Sequence, residues 1–85
     1  MVFEVLWTEH AKRNLGKLQR GLVIRIIKKV EVMRGSPYRF LSKIIGRKEW
    51  KLRVGDYRIF IDLDYEMNKL YVLRIDHRRR AYKRA

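Results

Sequence analysis

The hydrophobic and polar positions in the first half of the chain predict one strand followed by two helices. Residues 2–7 alternate enough for a strand, and Thr8 is placed to cap a helix that begins at about Glu9. Residues 19–21 form a short corner, after which a second, longer helix begins near Leu22. One apolar face of this helix is expected to pack in the core. That face carries Leu22, Val23, Ile26, Ile27, Val30 and Met33.

The second half of the chain predicts three strands. Residues 38–48 have the weakest periodicity, and we interpret them as a loop or a short turn of structure. Residues 50–61 alternate between apolar and polar types around a Gly-Asp pair, which is a strong signal for a two-residue hairpin. A polar turn at residues 64–68 precedes a last strand over residues 69–75. The core side of that strand is predicted to carry Tyr71, Leu73 and Ile75.

The hairpin turn determines which side chains face each other across the two strands. The predicted pairs are Val54 with Tyr57, Arg53 with Arg58, Leu52 with Ile59 and Lys51 with Phe60. Alternation places Lys51, Arg53, Arg58 and Phe60 away from the core, and Arg74 of the last strand joins them on what we call the basic face. Like charges directly opposite each other destabilise a sheet, so the Arg53–Arg58 pair indicates a site for an anion. The plainer interpretation is a solvated face of a half-exposed strand.

The order of elements is strand, two helices and three strands. This order predicts an α+β fold in which an antiparallel sheet packs against an N-terminal two-helix hairpin and leaves its other, basic face open. A chain of 85 residues has room for one modest core, so we expect a single domain spanning residues 1–85.

The charge balance narrows the class of partner. The chain has 22 basic and 9 acidic residues, and its net charge of +13 favours phosphate backbones or acidic proteins. A hydrophobic content of 47% indicates a folded domain and not a disordered basic tail. The absence of cysteine excludes disulfides, a thiolate nucleophile and a cysteine-ligated zinc. No apolar stretch approaches the roughly 20 residues of a membrane span, so we expect a soluble, cytoplasmic protein.

Several acidic residues and one histidine suggest other chemistry. Asp62, Asp64 and Asp76 raise the possibility of a metal-dependent nuclease, but carboxylates that flank turns are more typical of turn and solvation residues. His77 stands beside Asp76 and is interpreted as a local hydrogen-bonding residue.

Two motifs carry a resemblance to a known family. Residues 50–58 read WKLRVGDYR and residues 77–82 read HRRRAY. With these motifs at this spacing, nearly the whole chain resembles the RelE/ParE toxin superfamily, on the RelE side. The resemblance implies a RelE-like mRNA interferase toxin with the RelE-like microbial RNase fold. Such an enzyme cleaves messenger RNA in the ribosomal A site and is neutralised by an acidic, RelB-like antitoxin.

The resemblance also implies a mechanism and a set of site residues. The RNA 2′-hydroxyl attacks the neighbouring phosphate and leaves a 2′,3′-cyclic phosphate and a free 5′-hydroxyl, with no metal or other cofactor. By position, Lys51 matches a catalytic lysine, Arg53 and Arg58 match phosphate-binding arginines, Arg78 matches a basic residue after the last strand, and Tyr82 matches a tail tyrosine. Further RNA contacts are expected from Arg47, Lys48, Phe60, Arg74, Arg79 and Arg80.

Other functions remain open from the sequence. ParE-like members of the superfamily inhibit DNA gyrase and do not cut RNA, although Arg58, Arg78 and Tyr82 favour the nuclease. A basic nucleic-acid-binding module without chemistry is a further possibility. An inactive relative kept for its antitoxin complex is another, because Glu49 stands where some of the enzymes carry a second basic residue.

Overall fold

The computed structural model describes residues 2–78, which form two helices and one sheet. The elements, in order, are β1 (Glu4–Trp7), α1 (Glu9–Gly16), α2 (Arg20–Met33), a short 3-10 helix (Pro37–Arg39), β2 (Ser42–Lys43), β3 (Trp50–Val54), β4 (Tyr57–Asp64) and β5 (Lys69–His77). Within this part of the chain, no helix is long and apolar enough to cross a membrane. The predicted α+β fold is confirmed, and the stretch at residues 38–48 contributes most of the 3-10 helix and the short strand β2.

The sheet is mixed, with the strand order β1-β5-β4-β3-β2. The pairs of β2 with β3, β3 with β4 and β4 with β5 are antiparallel, as predicted, whereas β1 pairs with β5 in parallel. The expectation of a wholly antiparallel sheet is therefore wrong at one edge. Strands joined by a tight hairpin must be antiparallel, but most of the chain separates β1 from β5, so no short connection imposes that direction on them.

Helix α1 begins where the sequence predicts. The Thr8 hydroxyl accepts a hydrogen bond from the Ala11 backbone N–H at 3.2 Å, which makes Thr8 the N-cap. The same oxygen lies 2.8 Å and 3.0 Å from the carbonyl oxygens of Val72 and Leu73 in β5. One side chain therefore starts the helix and fastens it to the sheet.

Helix α2 begins two residues earlier than predicted, at Arg20, with Gln19 as its N-cap. Its first two residues, Arg20 and Gly21, are exposed and leave no apolar pattern in the sequence. Ile26, Val30 and Met33 are fully buried, whereas Ile27, predicted to lie on the same face, is 39% exposed. The sheet completes the core with Leu52, Val54, Ile59, Ile61, Leu63, Leu70, Val72 and Ile75.

Strand β5 contains an irregularity that changes which of its residues are buried. Phe60 pairs with Arg74 and Ile61 pairs with Val72, so Leu73 is one residue too many in β5. Such a bulge shifts the alternation by one position. As a result, the buried core residues of β5 are Leu70, Val72 and Ile75, whereas Tyr71 and Leu73 are only half-buried. Of the predicted inward trio, Ile75 alone is a core residue.

Candidate active site

The hairpin of β3 and β4 has the predicted register. All four predicted pairs are present, including Arg53 opposite Arg58, and Trp50 also pairs with Ile61. Gly55 adopts the positive φ of +57° that the turn requires. The register arranges the basic face in two rows that run across β3, β4 and β5. The Lys51 row consists of Lys51, Phe60 and Arg74, and the Arg58 row consists of Arg53, Arg58 and Asp76.

The Arg58 row contains a carboxylate that sequence reasoning placed elsewhere. Strand β5 continues to His77, so Asp76 lies in the sheet directly opposite Arg58 and is not a turn residue. Arg58 and Asp76 are each only 8% exposed. The like-charge pair of Arg53 and Arg58 is therefore partly compensated from within the protein, and Arg53 is the cation of this row that solvent reaches.

The Arg53 side chain is directed toward the hairpin turn. Its Nε–H donates a long hydrogen bond of 3.5 Å to the carbonyl of Gly55, which draws the guanidinium toward the hairpin turn. Arg78, also exposed, approaches the same turn because its backbone N–H donates to the Asp56 carbonyl at 2.6 Å. The turn thus brings two of the predicted catalytic arginines to one end of the hairpin.

In the Lys51 row, Arg74 already contacts two carboxylates of the protein. The Arg74 guanidinium donates two hydrogen bonds to the Glu49 carboxylate, at 2.8 Å and 3.3 Å, and its Nε lies 3.7 Å from an Asp76 oxygen. Arg47 approaches the same Glu49 carboxylate at 3.5 Å. The hydrogen bonds from Arg74, followed by the charges of Arg74 and Arg47, lower the pKa of Glu49. Two predicted RNA-binding arginines are therefore held by one acidic residue.

Phe60 is not presented to solvent. Its side chain is 7% exposed, and the Arg74 guanidinium lies 4.0 Å from the centre of its ring. This contact is a cation–π interaction, with the guanidinium placed over the ring. The expectation that Phe60 contacts RNA therefore does not fit this geometry, in which Arg74 lies over the ring and little of the side chain is exposed.

The remaining predicted residues lie around these rows or beyond them. Lys51 is half-buried, between Ser42 of β2 and Phe60 of β4. Lys48 is exposed in the β2–β3 connection, where its carbonyl accepts a hydrogen bond from Lys43. The predictions for Arg79, Arg80 and Tyr82 lie outside the described residues.

An aromatic cluster supports the other end of β3. Tyr38 packs edge-on against Trp50 and stacks on Tyr65, with ring centres 5.9 Å and 6.0 Å apart, and the Lys43 ammonium lies 4.9 Å from the Trp50 ring. Burial, together with the hydrogen bond to Tyr38, raises the pKa of the Tyr65 hydroxyl. The cluster fixes the start of β3 and so the position from which Lys51 projects.

The predicted roles of the acidic residues and the histidine can now be compared with their positions. Asp64 accepts a hydrogen bond from the backbone N–H of Met67 at 3.1 Å, as expected of a turn residue. His77 packs edge-on against Tyr57, with ring centres 5.1 Å apart. Across residues 2–78, no three His, Asp or Glu side chains come together in a group that could hold a metal ion.

The sequence and the fold of the chain both resemble those of known proteins. Residues 5–82 match the model of a family described as the ParE toxin of type II toxin-antitoxin systems, parDE. A comparison with curated proteins finds no match.

Among solved structures, the chain is similar to the toxin-antitoxin complex RelBE2 from Mycobacterium tuberculosis. The TM-score is 0.82 and the identity 25%, and the match covers 92% of this chain and 100% of that one. A mutant of the E. coli toxin RelE, in the free state, matches with a TM-score of 0.81 and 18% identity, over 96% of this chain and 90% of that one. The RelE-RelB complex from Pyrococcus horikoshii matches with a TM-score of 0.79 and 19% identity, over 92% of this chain and 97% of that one.

Proposed function

The chain belongs to the ParE toxin family of type II toxin-antitoxin systems, and we propose that it acts as a ribosome-dependent messenger RNA endonuclease. The proposal rests on the positions of Lys51, Arg53 and Arg58, which lie on one face of the β3–β4 hairpin. Arg53 pairs directly with Arg58, and Lys51 lies two residues before Arg53 in β3. A lysine beside two arginines is suited to binding a phosphate and assisting a proton transfer next to it.

In the proposed reaction each cation has a separate role. Arginine stays protonated in proteins, so Arg53 and Arg58 bind the scissile phosphate and stabilise the negative charge that develops on it. Lys51 accepts the proton of the 2′-hydroxyl, whose oxygen then bonds to phosphorus. The bond from phosphorus to the 5′-oxygen breaks, and that oxygen takes up a proton from water. The products are a 2′,3′-cyclic phosphate and a free 5′-hydroxyl.

The proposed partner is an acidic, RelB-like antitoxin. Structurally similar toxins from M. tuberculosis and Methanococcus jannaschii occur in complexes with their antitoxins. The net charge of +13 supports the same arrangement here, because an acidic polypeptide relieves the self-repulsion of the toxin. On this proposal, the protein works in the cytoplasm, where it meets the ribosome and messenger RNA.

The test is cleavage of messenger RNA on programmed ribosomes, with the 3′ ends mapped and their chemistry identified. We expect a cut in the A-site codon that leaves a cyclic phosphate. Arg53→Ala should lower the rate roughly 100-fold or more, since it removes one charge-stabilising group from an exposed position. Arg58→Lys keeps the charge of the buried position but loses the planar fork, and we expect a similar loss.

The matched control is Arg13→Ala on α1, which removes an equally exposed arginine remote from the basic face. A folded wild-type protein that leaves the messenger intact would contradict the nuclease proposal. A cut that Arg53→Ala, Arg58→Lys and Lys51→Ala all leave unchanged would contradict the assignment of these residues.

A second candidate function is inhibition of DNA gyrase, which the match to the ParE family model favours. The engagement of Arg74 and Arg47 by Glu49 also favours it, because it leaves fewer cations available to RNA. A supercoiling assay with purified gyrase tests this candidate. Inhibition by a protein that does not cleave messenger RNA would establish it in place of the nuclease.

A further inference from the structure

A second cationic surface lies beside the hairpin, on the helical side. An open groove of about 470 Å³ lies between helix α2 and the β3–β4 turn. Its lining consists of Arg25, Lys28, Lys29, Val32, Arg53, Val54 and Gly55. We call this surface the α2 groove. Four of its lining residues are cations and none is acidic.

The helical part of the α2 groove is one continuous face. Arg25, Lys28, Lys29 and Val32 stand at positions i, i+3, i+4 and i+7 of α2, which lie above one another on a helix. Like charges at these spacings repel one another. On the basic face, the carboxylates of Glu49 and Asp76 compensate part of the positive charge, but the α2 groove has no carboxylate in its lining. An anion from outside the protein is therefore needed to compensate the positive charge of the groove.

Contacts with the hairpin position the cations of the groove. The two terminal nitrogens of Arg25 lie 3.6 Å and 3.8 Å from the point that a side-chain carbon on Gly55 would occupy, so the guanidinium packs over the turn. Lys29 lies 5.2 Å from the centre of the Phe40 ring. Arg53, drawn to the turn by its bond to Gly55, belongs both to the basic face and to the groove.

The composition of the groove favours nucleic-acid phosphates over an acidic peptide helix. A bound amphipathic helix needs an apolar seam as well as cations. The exposed apolar residues Ile24 and Ile27 of α2 lie outside the lining, which offers only Val32 as an exposed apolar contact. A chain of phosphates, in contrast, can follow cations alone and can pass from the basic face to the groove by way of Arg53.

We infer that the α2 groove binds the phosphate backbone of RNA at nucleotides beyond the scissile phosphate. The inference rests on the proposed function for the class of ligand, and it adds a second binding surface to that site. Phosphates bound there fix the position of the strand on the protein without reading its sequence.

The test measures how the affinity for a single-stranded oligonucleotide depends on salt. The probe carries 2′-O-methyl riboses, which have no free 2′-hydroxyl to attack the phosphate, so binding is measured without cleavage. Each phosphate contact contributes about 0.7 to the slope of log affinity against log salt for single strands. The slope is negative because salt weakens binding. We therefore expect the double variant Arg25→Ala/Lys28→Ala to reduce the magnitude of the slope by about 1.4.

The matched control is Arg13→Ala/Lys17→Ala on α1, which removes the same charge from exposed positions outside the groove. We expect it to leave the slope unchanged. An equal change in both double variants would overturn the inference. So would a groove variant that binds RNA with the wild-type slope but has lost affinity for an acidic antitoxin peptide.

Two further measurements keep the result interpretable. Lys28→Ala alone leaves the packing of Arg25 on the turn intact, and we expect it to reduce the magnitude of the slope by about 0.7. The ribosome assay is run in parallel on the same proteins. A wild type that binds the probe through the groove but does not cut messenger RNA contradicts the proposed function alone. A nuclease whose groove variants keep the wild-type slope contradicts this inference alone.

Discussion

The carboxylate of Glu49 holds two arginines: Arg74 of the basic face through two hydrogen bonds, and Arg47 of the β2–β3 connection through an ion pair. Its side chain is 23% exposed, so water screens these interactions only in part. The sequence offers one hint of this role, because Glu49 stands two residues before Lys51 on the same side of an alternating segment. The partner Arg74 is 25 residues away, and only the packed sheet brings it near.

The lowered pKa of Glu49 predicts a pH dependence of stability. Because the folded state holds the proton of Glu49 less tightly than the unfolded chain, the stabilisation is fully present above the ordinary value of 4.5 and is lost as the pH falls through the lower folded pKa. We expect Glu49→Gln to lower the free energy of unfolding by up to about 1 kcal/mol at pH 7 and progressively less in acid. Urea unfolding at several pH values measures this. A difference that grows below pH 4.5 would contradict it.

The two arginines of the hairpin are predicted to differ in their effect on stability. Arg58 is 8% exposed and faces Asp76, so Arg58→Ala leaves a buried carboxylate with one arginine fewer beside it. We expect a loss of roughly 1–3 kcal/mol in the free energy of unfolding. Arg53 is exposed, and Arg53→Ala should change that free energy by less than about 0.5 kcal/mol. Denaturant unfolding of both variants measures the two changes. Equal losses in the free energy of unfolding would contradict the prediction that the buried arginine contributes more to stability than the exposed one.

Among the elements, the hairpin was predictable residue by residue and strand β5 was not. The Gly-Asp turn is a local signal that determines the register of β3 and β4 by itself. In β5 the bulge at Leu73 reassigns the inward positions. The Thr8 hydroxyl and the Asn14 side chain bond to this part of β5 across more than 60 residues, so no local pattern reveals these contacts. A different limit applies to Asp76, which pairs with Arg58 on the basic face. No local pattern shows that β5 continues past Ile75.

Thr8 is therefore predicted to stabilise more than one element. Thr8→Ala removes the cap of α1 and the contacts of its hydroxyl with β5, and we expect a loss of about 2 kcal/mol in the free energy of unfolding. Thr8→Ser keeps the hydroxyl and should recover most of it. Ser36 precedes the 3-10 helix without a side-chain capping bond, so Ser36→Ala is the control and should change little. Similar losses for Thr8→Ala and Ser36→Ala in thermal unfolding would contradict this account.

At the scale of the whole molecule, the excess of positive charge opposes folding of the free toxin. The net charge is +13, and two surfaces, the basic face and the α2 groove, concentrate part of it. Five ion pairs join residues within 2–78, and three of them involve Glu49 or Asp76. Because basic residues outnumber acidic ones by 13 over the chain, many cations repel one another or bind an external anion.

This excess predicts that salt stabilises the free protein. Raising sodium chloride from about 0.05 to 0.5 M screens the repulsion, and we expect the melting temperature to rise by about 4 °C or more, which corresponds to about 1 kcal/mol for a domain of this size. In Arg13→Glu/Lys17→Glu the net charge is lower by four than the wild-type +13, and the rise should be smaller. A melting temperature that is flat or falls with salt would argue against self-repulsion as a significant term.

The parallel pairing of β1 with β5 joins the two ends of the described chain, with Glu4 beside Lys69 and Trp7 beside Val72. During synthesis, therefore, the sheet cannot close until β5 has left the ribosome. Arg74 and Asp76 arrive with the same strand, so both rows of the basic face are completed at that moment and not before. An emerging chain that lacks β5 therefore has no complete basic face, and on the proposed function it cannot yet act as a nuclease.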